Sequence, residues 1–162
     1  MPRSLQSALL LISLLLATPD SGRAQQPIGP KDLVFWRIPS GADSTVVRQS
    51  LGQPDSISTA ADPSQADPTL TAWWYGDLQI VFNGADVLGE WATGPSLQTA
   101  RGIGVGASLS RVRAFYGDPS RTWTDQGGLV YVDRRPTADD RCLYFEASDG
   151  RITRVYVGYL VD

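Results

Sequence analysis

Residues 101–117, RGIGVGASLSRVRAFYG, place three alternating glycines directly before a segment with helical spacing. Such a stretch is typical either of a phosphate-binding loop or of a structural turn that leads into a helix. A dinucleotide-binding fingerprint needs G-x-G-x-x-G after a buried strand, whereas the spacing here is G-x-G-x-G. A Walker loop needs Gly-Lys-Ser/Thr, and the only lysine of the chain is Lys31. We therefore interpret the stretch as structural.

A shift of 65 positions places this stretch on an earlier part of the chain, so that IPSGADSTVVRQSLGQPDS (38–56) aligns with IGVGASLSRVRAFYGDPSR (103–121). The identical pairs are Ile38/Ile103, Gly41/Gly106, Ala42/Ala107, Val47/Val112, Arg48/Arg113, Gly52/Gly117 and Pro54/Pro119. The alignment predicts two tandem repeats, at 36–100 and 101–162, after an N-terminal linker at 25–35. Gly102 and Gly104 have no glycine counterparts, and we interpret them as part of a loose connection between the repeats.

Each predicted repeat begins with a turn and one short helix. Ser40 or Asp43 is the expected N-cap of the first helix and Ser108 that of the second, and a Gly-x-Pro sequence ends both. A helix of about ten residues does not stand alone, so it must pack against strands. About three strands follow in each repeat, and 58–72 is predicted to be an exposed loop. The predicted fold is α+β: two tandem helix–β-meander repeats, with short helices packed on one face of a curved antiparallel sheet.

Residues 1–24 are predicted to be a signal peptide. A short positive start precedes the apolar run 9–17, and Gly22 and Ala24 supply the small residues of a cleavage site. An uncleaved membrane anchor is the alternative. Cleavage would change the formal charge from −3 to −4, because Arg3, Arg23 and Asp20 are lost. The expected product is exported, either to the periplasm or out of the cell. With one lysine and no basic run, nucleic acids and anionic membranes are poor candidate partners.

The residue inventory argues against catalysis. The chain has no histidine, which removes Ser-His-Asp and Cys-His arrangements and the common zinc sites. The single cysteine, Cys142, excludes an internal disulfide and is predicted to be a small buried residue. A carboxylate pair drawn from 139–140, Glu146 and Asp149 is possible in principle, but 139–140 lie beside 134–135 and Arg141 and are better explained by solvated ion pairs. A carboxylate-dependent hydrolase is the weakest alternative, and we expect no enzyme activity, no cofactor and no metal.

Alternation along the predicted strands divides the sheet into two faces. Ile80 with Phe82, and Leu143 with Phe145, are expected to meet the helices. The candidate partner-binding residues of the opposite face are Trp74, Trp91, Tyr144, Arg154 and Tyr156. Aromatic residues and arginine together are typical of interface hot spots, although the same residues also complete thin cores.

A turn, a helix and Gly-x-Pro followed by a Trp/Tyr strand and a hairpin, present twice, resembles the tandem β-lactamase-inhibitor-like family. The same unit also resembles the single-copy outer-membrane assembly lipoproteins of the BamE (SmpA/OmlA) type. The residues that carry the resemblance are 41–54 with Trp73 and Tyr75, and 106–119 with Tyr131. Unlike the assembly lipoproteins, this chain has two copies and no lipidated cysteine.

The resemblance implies helices on one face of a sheet and a protein partner on the other. The expected function is therefore that of an exported, soluble, non-catalytic protein-binding module, inhibitor-like or envelope-assembly-like. Its partner would lie in the cell envelope or outside the cell. A binder of small ligands or carbohydrates through exposed Trp and Tyr is the alternative.

Overall fold

The computed structural model describes residues 27–33, 38, 41–61, 69–123, 127–133 and 140–160, and the predicted signal peptide lies outside them. A 3₁₀ turn at Pro30–Asp32 comes first. The elements that follow are α1 (Ser44–Leu51), β1 (Ser56–Ala61), β2 (Thr69–Tyr75), β3 (Leu78–Asn83), β4 (Asp86–Ala92), α2 (Leu109–Tyr116), β5 (Arg121–Trp123), β6 (Gly128–Val132), β7 (Arg141–Ser148) and β8 (Arg151–Tyr159). Within the described residues, neither helix has the length and apolar character needed to cross a membrane.

All eight strands belong to one antiparallel sheet, in the order β1-β2-β3-β4-β8-β7-β6-β5. The predicted α+β class is confirmed. Each half of the chain contributes four strands rather than three, because β1 and β5 follow the two Gly-x-Pro sequences. The loop predicted at 58–72 is wrong at both of its ends: β1 occupies its start, and β2 its end. β1 pairs with β2 over six consecutive positions, although its side chains from 56 to 59 are all exposed.

The two helices begin and end at positions 65 residues apart. The Asp43 carboxylate accepts hydrogen bonds from the backbone N–H groups of Thr45 and Val46, and Ser108 accepts one from Arg111. Asp43, not Ser40, is thus the first N-cap. These caps satisfy backbone donors that the first turn of a helix cannot pair internally.

Equivalent backbone hydrogen bonds tie each helix start to a hairpin of the same half. Ser44 donates to the carbonyl of Ala85, and Val87 donates to that of Ala42. In the second half the same two bonds run from Leu109 to Gly150 and from Ile152 to Ala107. Glycines at 41 and 106 precede the caps with φ of 78° and 88°, a region that disfavours other residues. The halves are built alike at these points, while their origin as a tandem repeat stays a prediction.

The main core lies between the helices and one face of the sheet. Ile80, Phe82, Leu143 and Phe145 are buried in it, as the alternation predicted. The other large strand residues of this core are Trp73, Leu78, Val87, Leu129, Tyr131, Ile152, Val155 and Val157. The helices supply Val47, Val112 and Tyr116. Both helices therefore cover the same face of the sheet. The opposite face carries a separate cluster of strand residues with neither helix over it.

Arg101 connects three parts of the chain. Its guanidinium donates to both carboxylate oxygens of Asp32, at 2.8 Å each, and to the carbonyls of Phe115 and Pro27. It also lies over the ring of Tyr116, 4.5 Å from the centroid. The segment 27–33, which the sequence assigned to a linker, is held here, with Ile28 and Leu33 buried in the main core.

The interpretation of Gly102 and Gly104 as a loose connection is wrong. Gly104 pairs with Gln98 in an isolated β-bridge, and a side chain at 104 would collide with the carbonyl of Leu97. Gly102 has a φ of 72° and donates its N–H to the carbonyl of Thr99. These two glycines therefore shape a tight turn that presents Arg101 to Asp32.

We expect Arg101→Gln to lower the free energy of unfolding by about 3 kcal/mol, since it leaves the buried Asp32 carboxylate without its charged partner. Denaturant melts at pH 7 measure this. The control is Arg113→Gln, which removes an exposed ion pair to Asp118 of 3.8 Å and should cost less than about 0.5 kcal/mol. Equal losses in both variants would contradict the role given to Arg101.

Candidate functional site: the open face of the sheet

The open face is the side of the sheet opposite the helices, and one row of residues crosses it from edge to edge. The strand register places the members of this row side by side: Ser56, Trp74, Gln79, Trp91, Tyr156, Tyr144, Val130 and Arg121. Four of the five candidate partner-binding residues belong to the row. The fifth, Arg154, lies two positions before Tyr156 on β8 and so shares its face.

Four aromatic rings form the centre of the open face. The Trp91 ring lies 4.9 Å from that of Tyr156 and 6.0 Å from that of Tyr144, and Trp123 lies 4.9 Å from Tyr144 (centroid distances). These separations and their tilted or edge-to-face angles are those that aromatic pairs prefer. The cluster is therefore ordered by contacts among its own members.

Arg154 and Glu146 form a polar group beside the rings. Arg154 lies over the Trp91 ring, 4.5 Å from its centroid, and donates two hydrogen bonds to one oxygen of Glu146, at 3.0 and 2.5 Å. The Arg154 side chain is 45% exposed and that of Glu146 24%. Because both stacking and the ion pair hold the guanidinium, its remaining donors are presented to solvent in a fixed direction.

Glycines lie beneath the two tyrosines. Gly89 pairs with Gly158 across β4 and β8, and the ring of Tyr156 covers both; the ring of Tyr144 covers Gly128 in the same way. A methyl group on any of these glycines would come within 3.0 Å of the ring above it. The hydroxyl of Tyr156 donates to the carbonyl of Tyr159 at 3.0 Å. Both rings therefore lie down on the sheet, and Tyr144 and Tyr156 are only 4% and 9% exposed.

The aromatic cluster borders a shallow groove of about 410 Å³. Its walls are largely apolar, and Arg154 and Glu146 supply its charged groups. Its other lining residues are Leu70, Val81, Leu88, Trp91, Trp123, Cys142, Tyr144, Tyr156, Tyr159 and Leu160. Trp74 lies on the same face but outside the groove, beyond Gln79.

The five candidate residues thus share one face but play different physical roles. Tyr144 and Tyr156 form the buried floor, while Trp91 and Arg154 form an accessible rim. Sequence reasoning missed Trp123 and the glycine floor. The sequence did contain a signal for two of the glycines. Gly89 lies two positions from Trp91, and Gly158 two positions from Tyr156, and both aromatic residues are on predicted strands. That the five residues bind a partner stays a prediction.

The other reactive side chains of this face are either buried or held in an ion pair. Cys142 is buried, and that burial raises the pKa of its thiol to about 12. Burial also raises the pKa of Tyr156 and of Tyr144. Glu146, weighed above as a catalytic acid, is paired with Arg154. In the part of the chain that the structure describes, no cluster of three or more acidic, Cys or His side chains could hold a metal ion.

Comparisons with known proteins show similarity of fold. No protein-family model matches the chain, and no curated protein matches it. A cysteine-rich secretory protein from Staphylococcus aureus Mu50 superposes with a TM-score of 0.52 at 11% identity, over 84% of this chain and 47% of that one. An extracellular protein containing an SCP domain, from Bacillus anthracis Ames, gives 0.48 at 12% identity, over 85% and 49%. The chain spans about half the length of these two proteins.

A proposed β-lactamase inhibitor protein from Streptococcus mutans is also similar, with a TM-score of 0.33 at 13% identity. The superposition covers 72% of this chain and 82% of that one. At these identities a likeness concerns the fold alone. The resemblance to the assembly lipoproteins stays a prediction.

We expect Gly89→Ala to cost about 1–3 kcal/mol of folding free energy, because the added methyl must displace the Tyr156 ring. Denaturant melts give the value. In a Tyr156→Ala background the same substitution should cost clearly less, since the ring is no longer there to displace. Gly29→Ala is the matched control, because nothing lies within 4 Å of its Cβ position. If the losses of stability from Gly89→Ala and Tyr156→Ala simply add in the double variant, the Tyr156 ring does not lie on Gly89.

We expect the Cys142 thiol to react slowly with a thiol-specific reagent in the native protein. With a pKa of about 12, roughly one thiol in 10⁴ is ionised at pH 8, whereas an unfolded thiol with a pKa of about 8.5 is about one-quarter ionised. Labelling at pH 8 should therefore be at least about 100-fold slower in buffer than in denaturant. Comparable rates would show that the open face does not cover this residue.

Proposed function

We propose that this chain is an exported, non-catalytic binding protein that engages a protein partner through the open face of its sheet. The observation that carries the proposal is the preorganised rim formed by Trp91 and Arg154 above a buried tyrosine floor. Such rims match the composition of interface hot spots, in which aromatic residues and arginine supply most of the binding free energy. Because the rings are already fixed, little side-chain entropy is lost on binding.

The helices support this assignment by covering the other face. Val47, Val112 and Tyr116 fill the main core, so the apolar residues that remain accessible in the middle of the sheet belong to the open face. The predicted signal peptide supports export, and the absence of histidine from the sequence supports a non-catalytic role. The partner would be a protein of the cell envelope or of the extracellular medium, bound in an inhibitor-like or assembly-like manner.

Affinity capture from envelope and culture-medium fractions of the source cells, followed by titration of the purified partner, tests the proposal. We expect Trp91→Ala and Arg154→Ala each to weaken binding at least about tenfold, as hot-spot truncations do. Phe115→Ala is the matched control, because Phe115 is a large exposed apolar side chain on α2, in the helix layer. It should leave the affinity unchanged.

Denaturant melts of the same variants separate lost contacts from lost folding. The Arg154 side chain is 45% exposed, so its truncation should leave the fold intact even if that of Trp91 does not. A partner that binds both variants as tightly as the wild type, or that is lost only with Phe115→Ala, would overturn the assignment of the open face.

A carbohydrate or other small ligand is the second candidate. The groove volume of about 410 Å³ lies within the range of small-ligand sites, and two tryptophans border it. Tryptophan fluorescence during titration with a panel of saccharides distinguishes the candidates. A saturable change that disappears in Trp91→Ala, together with no captured protein, would favour the small ligand over the protein partner.

A further inference from the structure

The two edges of the sheet differ in their protection. β5 has three residues and begins with Arg121, and short, charged edges discourage pairing with another strand. β1 has six residues, SISTAA, with no charge and no proline. Its register with β2 runs unbroken from Ser56 to Ala61, without a bulge. Within the described residues 56–61, β1 therefore has no charge, no proline and no bulge, three of the devices that protect an edge.

β1 also exposes side chains on both faces. Ser56, Ile57, Ser58 and Thr59 are all exposed, and Ile57 is 52% exposed although it lies opposite the buried Trp73. Among the described strands, β2 is the only neighbour of β1. Every second residue of such an edge directs its N–H and C=O groups away from the sheet. β1 thus presents backbone donors and acceptors beside an incompletely covered apolar residue.

We propose that β1 pairs with β1 of a second copy of this chain, antiparallel and centred on Ser58, so that two sheets join into one. This register places Ile57 opposite Thr59 of the partner, Ser56 opposite Ala60 and Asp55 opposite Ala61. No like charges lie opposite each other, and the β-branched Ile57 and Thr59 face each other on either side of the centre, a pairing that suits antiparallel strands.

The charge distribution favours a second copy over a different protein. The chain has a formal charge of −3, but neither β1 nor β2 contains a charged residue. Within the paired strands, therefore, no charge selects an oppositely charged partner and no like charges lie directly opposite each other; Asp55 lies at the end of the segment, opposite Ala61. A symmetric pairing also closes on itself, so that it gives a dimer and not a fibre.

The sheet already contains a contact of this kind. β4 and β8 are the last strands of the two halves, and they pair antiparallel with Trp91 opposite Tyr156, two positions 65 residues apart. The proposed dimer repeats this arrangement with the first strand. Because the two-fold axis of such a pairing is perpendicular to the sheet, the open faces of both copies would lie on the same side.

Sedimentation equilibrium of the purified protein over a range of concentrations tests the proposal. We expect a mass of two chains for the wild type and of one chain for Ile57→Lys and for Ser58→Lys, with the dissociation constant raised at least tenfold. Lysine on an edge strand is a natural barrier to pairing. Ala114→Lys, on an exposed position of α2, adds the same charge away from the edge and should stay dimeric.

Disulfide formation tests the register independently. In the proposed dimer, residue 58 of each copy lies opposite its equivalent, so Ser58→Cys should cross-link under mild oxidation, whereas Ser50→Cys on α1 should not. The buried Cys142 does not interfere. A wild type that stays a single chain at the highest concentration, or a dimer that survives both lysine substitutions, would overturn the proposal. So would a monomer that instead binds a strand of another protein at β1.

Discussion

The pairing of β4 with β8 is the contact on which the rest of the structure depends. Without it, the chain would consist of two four-stranded sheets, each with one helix and an additional open edge. The pairing brings Gly89 opposite Gly158 and Trp91 opposite Tyr156. The absence of side chains on the two glycines creates the space into which Tyr156 lies down. The middle of the open face is thus a direct consequence of how the halves join.

Two β-bulges decide which residues reach the open face. Leu88 is an extra residue on β4 opposite Val81 and Phe82, and Thr153 is its counterpart on β8. A regular strand would place Ile152 on the same face as Arg154. The bulge instead lets β8 bury Ile152 in the main core while it directs Arg154 towards Trp91. One extra residue thereby allows a single strand to bury Ile152 in the main core and to direct Arg154 to the open face.

Much of this arrangement was predictable from the sequence, and the failures have physical causes. The helices, their glycine ends and the faces of β3 and β7 follow from strong local signals: caps, apolar spacing and alternation. β1 was missed because its side chains carry no burial pattern; only pairing with β2 defines it. Glu90, buried at a helix-facing position between Ile80 and Val157, likewise contradicts the local pattern. Long-range contacts decide such positions, and a window of sequence does not contain them.

The candidate site shows the same division between local and distant information. Alternation was sufficient to place Trp74, Trp91, Tyr144, Arg154 and Tyr156 on one face. It could not rank them by exposure, because exposure depends on which residues of the neighbouring strands lie beside each ring. Tyr144 is buried because Gly128 on β6 gives its ring a place to lie, and Trp123 on β5 packs against the same ring. Gly89 and Gly128 on neighbouring strands, together with Gly158 on β8 itself, thus allow the two tyrosine rings to form a buried floor. That floor limits the accessible part of the site to a rim whose Arg154 is held by both Trp91 and Glu146.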